Sequence, residues 1–221
     1  MNPVFEFIQE MGGPVVAILI VFSVAATTLT LLKLAQGLKQ RPSKNGAPAK
    51  LLQHLQQNEL KQISLLAHGQ RCPRSLLIAQ AVHLFQQGQL SIADTQAEVV
   101  RLANRVANGY RALLRPLEVI ATLAPLLGLF GTVLGMIEAF KAMEMAGAQV
   151  DPAILSGGIW QALLTTAVGL GVAIPVSLIH STFERRAEQQ TLALQDELGQ
   201  VFTFFAQTPN TENTANQFHA S

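Results

Sequence analysis

The chain has 221 residues, 49% of them hydrophobic and 13% charged, with 15 Lys and Arg against 14 Asp and Glu. A net charge of +1 leaves no electrostatic footprint for nucleic acid, and a mean hydropathy of +0.31 is high for a soluble domain. The lone cysteine, Cys72, excludes an intrachain disulfide and a cysteine metal cluster, and reads as an inert thiol in a reducing compartment.

Residues 1–13 read as a short outer lead, and "GGP" (Gly12–Pro14) suits a helix start because Pro is tolerated in the first turn. Pro14–Leu32 is apolar, uncharged and of bilayer-spanning length. Glu6 and Glu10 precede it, whereas Lys33, Lys39, Arg41 and Lys44 follow it. A signal peptide wants positive charge before its apolar core, so this is a retained transmembrane helix. A Pro/Gly/Lys linker over 37–50 leads to a cytoplasmic helical segment, 33–116 in all. Within it, Leu51, Leu55, Ile63 and Leu66 keep helical spacing over 51–69, with Gly69 as a stop, and Pro73 and Gly88 bracket a second helix. Ser91 and Asp94 have capping-box spacing. From Ser91 the period runs on without a clear stop, so one helix is expected as far as Ala142, roughly 75 Å at 1.5 Å per residue, with a kink at Pro116.

The second span is 117–140, with Glu118 and Glu138 only near its ends, and a short periplasmic loop (141–156) leads to the third span, 157–183, in which only His180 is ionisable. A cytoplasmic helix over 184–206 and a polar, Asn/Thr-rich tail over 207–221, expected to be disordered, complete the chain. Basic residues flank the spans at Lys33–Lys44, at Arg101, Arg105, Arg111 and Arg115, and at Arg185 and Arg186. By the positive-inside rule the N-terminus is outside and the C-terminus inside. The expected fold is an all-α integral membrane protein: three transmembrane helices with long cytoplasmic helical extensions.

The spans carry unusual residues for lipid. Gly128, Gly131 and Gly135 share one helix face and suit close helix packing, while Pro125 and Pro175 are candidate kinks. In the third span Ala162, Thr166, Gly169, Ala173 and Ser177 form a thin small-residue stripe that the adjacent Thr165 does not share. No Asp, Glu, Lys or Arg lies at mid-membrane depth, where ion-coupled proteins usually hold an ionisable group. Two readings follow. Either the chain is a non-conducting scaffold, or a partner's helix brings an acid into a cavity lined by these hydroxyls. His54, His68 and His83 match no metal or nucleophile spacing, so neither a cofactor nor an enzyme activity is expected.

"TLAPLLGLFGTVLGMIEAF" (122–140) and "GGIWQALLTTAVGLGVAIP" (157–175) resemble two blocks of the MotA/TolQ/ExbB family of bacterial inner-membrane motor subunits, and three spans resemble the ExbB/TolQ branch more than the four-span MotA branch. The resemblance implies a ring, commonly a pentamer, around an ExbD/TolR-like single-span partner that carries a membrane aspartate. Proton flow would then move a TonB- or TolA-like protein acting on the outer membrane. The family's pore threonines correspond to Thr132 and Thr166, with Thr165 and Gln161 beside them on the implied proton path; many members hold a Glu where this chain has Gln161. Glu118 and Arg115 read either as a helical ion pair or as a cytoplasmic entrance. The implied function is an ExbB-like, proton-driven subunit energising outer-membrane transport, with a TolQ-like role in envelope integrity as the alternative.

Overall fold

The computed structural model describes residues 13–39, 47–67, 72–146 and 152–207, and all the regular structure in them is α-helical. The helices are α1 (Gly13–Lys39), α2 (Ala47–Gln56), α3 (Leu60–Ala67), α4 (Pro73–Gln87), α5 (Ile92–Arg111), α6 (Leu114–Ala146) and α7 (Pro152–Gln207). The outer lead before Gly13, most of the linker with Arg41 and Lys44, His68 and Gly69, the centre of the 141–156 loop and the tail from 208 lie outside the described residues.

The chain divides into two units, and α7 contributes to both. The first takes α1 as far as Leu34, and Leu113 to Arg185. Three helices, α1, α6 and α7, are long and apolar enough to cross a membrane. Hydroxyls in α1 do not interrupt it: Thr27, Thr28 and Thr30 donate to the carbonyls of Ser23, Val24 and Ala26, at 2.8, 2.8 and 2.7 Å. Satisfying a hydroxyl within its own helix is what an apolar surround demands. Val15 and Leu19 of α1 pack with Ala124 of α6 and Ala173 of α7, and Ala26 packs with Leu117, Ile120 and Val176. Large apolar side chains on the other faces stay exposed, among them Val21, Leu126, Leu163, Trp160 and Leu178.

The second unit comprises Ala35–Ala112 and the chain from Arg186 onward. Its core is of the kind built in water, from large side chains: Leu51, Leu55 and Ile63 close on Leu77, Ile78, Val99, Leu194 and Val201. Phe85 stacks on Phe205 with ring centroids 4.6 Å apart. Arg74, in the first turn of α4, holds the buried carboxylate of Glu197 on α7 through two nitrogens, and donates to Gln190 Oε1 at 3.0 Å. This fork matches the planar guanidinium to the carboxylate and satisfies both in a half-dry setting. The hydrogen bond to Glu197 raises the pKa of Arg74.

Two expectations need correction. Residues 51–69 do not form one helix: α2 ends at Gln56, Asn58 takes a left-handed φ of 59°, and α3 restarts at Leu60. Ser91 caps α5 as its spacing predicts, its Oγ accepting from Asp94 N at 3.1 Å, but the helix it opens does not reach Ala142. It ends at Arg111, Leu113 turns with φ 65°, and α6 starts at Leu114. Pro116 then falls in a first turn, where its missing N–H would have had no helical partner, so it marks a start and not a kink. Residues 184–206 are helical as expected, as the continuation of α7, which runs unbroken from Pro152 to Gln207 with Pro175 inside it.

Removing one partner of the Arg74–Glu197 pair strands the other charge. Arg74→Ala or Glu197→Ala is expected to destabilise the second unit by about 3 kcal/mol, read as a lower chemical-denaturation midpoint of the detergent-solubilised protein. Tyr110 on α5 carries a phenol pushed up to about 12, first by burial and then by the nearby Cys72. Its unfolded value is about 10, so the unfolded state loses this proton first. Stability is expected to fall as pH rises from about 10 to 12. Tyr110→Phe should flatten that part of a stability–pH curve.

Candidate functional site

The seam between α6 and α7 is made of small residues at backbone contact. An added Cβ on Gly128 would stand 3.1 Å from Thr165 O and from Thr166 Cα, and one on Gly169 would stand 2.7 Å from Ala124 O. Further along, a Cβ on Gly135 would lie 3.0 Å from the Ala162 methyl, and one on Gly158 would lie 2.5 Å from the Ala139 methyl. The pairs 124/169, 128/165, 135/162 and 139/158 run in opposite directions along the two helices, so α6 and α7 are antiparallel. The glycines thus close two helices of one chain on each other. In lipid, where burying apolar area between helices gains little, such close approach is how helices hold together.

Two hydroxyls cross this seam to one acceptor. Thr166 Oγ1 donates to the Gly128 carbonyl at 3.0 Å, and Thr165 Oγ1 lies 3.3 Å from the same oxygen while donating to Ala162 O at 2.7 Å. Thr165 is 1% exposed and faces Gly131, where an added Cβ would come within 2.5 Å of its Oγ1. The stripe of α7 that faces the seam is therefore Gly158, Ala162, Thr165, Gly169 and Ala173, at steps of four, three, four and four, buried from Ala162 onward. The expected stripe took Thr166 and Ser177 instead; Ser177 is exposed, and Thr165 is the residue inside. The 4-3-4 spacing of small residues from Gly158 is legible in the sequence and would have found it.

Thr132 is half-buried and donates to Leu129 O at 2.6 Å. At about 100° per residue it sits about 40° round from Gly128, and Thr166 sits about 40° round from Ala162. Leu127 and Leu134 of α6, and Val168 and Val172 of α7, lie on the opposite side of the seam and pack with α1. Thr132 and Thr166 consequently share the edge of the seam that α1 leaves open. Gln161 lies about 140° round α7 from Thr166, on the α1 side, so the structure does not bring it to that edge. Arg115 and Glu118 are both exposed near the start of α6, and among the described residues no ion pair joins them. Pro125 and Pro175 both lie inside continuous helices. Among the described residues no group of His, Cys, Asp and Glu could hold a metal ion.

The profile of the MotA/TolQ/ExbB proton channel family matches residues 76–196, which include the whole α6–α7 seam. The chain belongs to this family. It is 32% identical over 158 residues to the biopolymer transport protein exbB1 of Vibrio cholerae serotype O1, covering 70% of this chain and 68% of that protein. It is 36% identical over 110 residues to the biopolymer transport protein ExbB of Salmonella typhimurium, covering 46% of this chain and 42% of that protein. It is 30% identical over 115 residues to the Tol-Pal system protein TolQ of Pseudomonas aeruginosa, covering 52% of this chain and 46% of that protein. Three apolar helices of spanning length in a member of this family make the chain a multi-pass membrane protein. The resemblance carried by the two sequence blocks is thereby a family membership, most like ExbB.

Gly131→Ala would drive a methyl into the Thr165 side chain, whereas Gly157→Ala and Gly171→Ala meet open space. The first is expected to cost about 1–3 kcal/mol and the other two to be neutral or mildly stabilising. Thermal unfolding in one detergent, comparing the three variants, provides the measurement. Adding Thr165→Ala to Gly131→Ala should recover part of the loss.

Proposed function

We propose that this chain is an ExbB-like, proton-conducting subunit of a bacterial inner-membrane motor, with its N-terminus periplasmic and its C-terminus cytoplasmic. What supports the reading is that Thr132 and Thr166 are both half-buried beside the α6/α7 seam, on the side away from the residues that pack with α1, in spans that hold no charged residue at mid-depth. Hydroxyls there can hydrogen-bond a passing carboxyl group in both of its protonation states, but they carry no proton charge themselves. The acid therefore comes from a partner, an ExbD/TolR-like single-span subunit with a membrane aspartate. Copies of this chain form a ring around it, commonly a pentamer in this family, and the exposed apolar faces of α1, α6 and α7 are shared between lipid and neighbouring copies.

In this scheme the partner's acid takes a proton on one side, moves past Thr132 and Thr166, and releases it on the other. The seam glycines keep the wall rigid while the partner moves. This reading gives the direct contacts with the acid to Thr132 and Thr166, with the neutral Gln161 and the buried Thr165 beside them on α7. The second unit and its α7 segment form the cytoplasmic extension. The motion is passed to a TonB-like protein that energises outer-membrane transport.

The similarity to a TolQ protein supports a second branch, in which the output is a TolA-like protein and envelope integrity. Expressing the chain with its partner in bacteria lacking either system separates the two. Recovery of TonB-dependent nutrient uptake marks the first, and recovery of detergent resistance marks the second. A non-conducting scaffold would restore neither, yet would still assemble.

Thr132→Ala and Thr166→Ala are each expected to lower partner-dependent proton uptake by proteoliposomes at least tenfold, roughly the value of one hydrogen bond to a charged group, while expression and ring assembly stay normal. Wild-type flux in both variants would falsify the reading.

A further inference from the structure

Titratable groups stand at one end of the α6/α7 pair, at matched distances from its two edge threonines. Glu118 lies fourteen residues before Thr132 on α6, and His180 lies fourteen residues after Thr166 on α7. No ionisable side chain stands between either pair. Because α6 and α7 are antiparallel, both displacements run the same way, about 21 Å along the helices. Fourteen residues also return each group to within about 40° of its threonine's direction. Glu118 is exposed and lies further from the seam than Thr132, while His180 falls back in line with Ala162, between Thr166 and the seam. The His180 side chain is 13% exposed, and its Nδ1 stands 3.9 Å from Glu184 Oε2 one turn on. Three cations share this end: Arg115 on α6 and Arg185 on α7, both exposed, and Lys33 on α1, two turns beyond the Ala26 that packs with Val176 and itself buried.

We propose that His180 is the proton acceptor at the inner end of the path, and that Glu118 and Glu184 keep the mouth around it negative. The inference rests on the reading in which a partner's acid carries protons past Thr132 and Thr166, and it says where those protons leave. Imidazole is the side chain that ordinarily gains and loses a proton between pH 5 and 8, and its two nitrogens let it accept on one and donate from the other. A proton released by the partner's carboxyl group reaches His180 as hydronium. There an N–H bond forms as an O–H bond of hydronium breaks, and the ring returns to neutral by giving its other N–H proton to water or to a mobile buffer. Without His180, the ion would have to cross the half-dry mouth unbound, where an unpaired charge is poorly solvated. The carboxylates draw protons to the mouth and oppose Lys33, Arg115 and Arg185, an effect that salt screens.

The test is proton uptake by proteoliposomes whose lumen meets the inner end of the spans, holding the full chain co-purified with its acid-bearing single-span subunit and normalised to assembled complex. A membrane-impermeant buffer is sealed in the lumen at low or high concentration. His180→Gln keeps a polar side chain and removes the proton-binding nitrogen. At low lumenal buffer its flux is expected to fall about tenfold, a small part of what a positioned acid–base group contributes in catalysis. At high buffer, where a mobile acceptor replaces the ring, it should recover to within about twofold of wild type. At a constant pH difference across the membrane, wild-type flux should fall as lumenal pH drops through the imidazole range, because a protonated ring cannot accept; His180→Gln should lack that step. Glu118→Gln should lose about twofold at low salt and nothing at high salt. Wild-type flux in His180→Gln at low buffer overturns the acceptor role, as does a loss that buffer does not restore, the mark of a residue that only packs. Either result beside an inactive Thr166→Ala leaves the conduction reading intact. Wild-type flux in both Thr132→Ala and Thr166→Ala sinks the two together.

Discussion

Backbone contact between α6 and α7 is the constraint on which the membrane-embedded part of this protein depends. Gly128 and Gly169 approach so closely that a Cβ on Gly169 would stand 3.0 Å from the Gly128 Cα. Only at that separation can hydroxyls of α7 reach a carbonyl of α6. The contact brings dispersion and polar satisfaction together, and lipid cannot compete for either. It also sets the phase of both helices. Once Gly128, Gly131 and Gly135 face α7, Thr132 has no choice but the edge of the seam.

The two units solve the packing problem by different physics. In the second, Leu, Ile, Val and Phe side chains fill a core as they do in water-soluble helical proteins, and a buried Arg–Glu fork fixes α4 on α7. In the first, large apolar residues stay outside and small ones meet inside, which is the arrangement expected where the solvent is hydrocarbon. Helix α7 carries both patterns in one unbroken run. Its stripe changes from Gly158, Ala162, Thr165 and Gly169 to Leu194, Leu198 and Val201. This change of composition along one helix is the clearest sign that the chain works in two media.

A wall of this kind suits a passive role in proton transfer. It offers hydrogen bonds without fixed charge, so it does not trap an ion at mid-membrane. The rigidity of the seam matters to the proposed function as much as its hydroxyls, because close packing at the glycines fixes the phase of both helices. In the proposed function the chemistry divides between a fixed surface supplied by this chain and a mobile acid supplied by a partner.

Much of this was legible in the sequence, and the misreadings share one cause. Length and hydropathy found the three spans because both are properties of consecutive residues, and the Ser91 cap and the Pro73 and Gly88 limits were read correctly because they act within a turn. The breaks at Asn58 and Leu113 were missed: Asn58 is a residue type that tolerates a left-handed φ and could have been read as a stop, whereas Leu113 gives no such signal. Periodicity alone placed Thr166 on the small stripe and left Thr165 out, and the structure reversed that order of burial. A helix has no inside until a second helix packs on it. What the sequence by itself determined is the helical, membrane-crossing character of the chain and its family. Which side of each helix is wall, seam or open edge was decided only by tertiary structure, because contact between backbones distant along the chain chooses the phase.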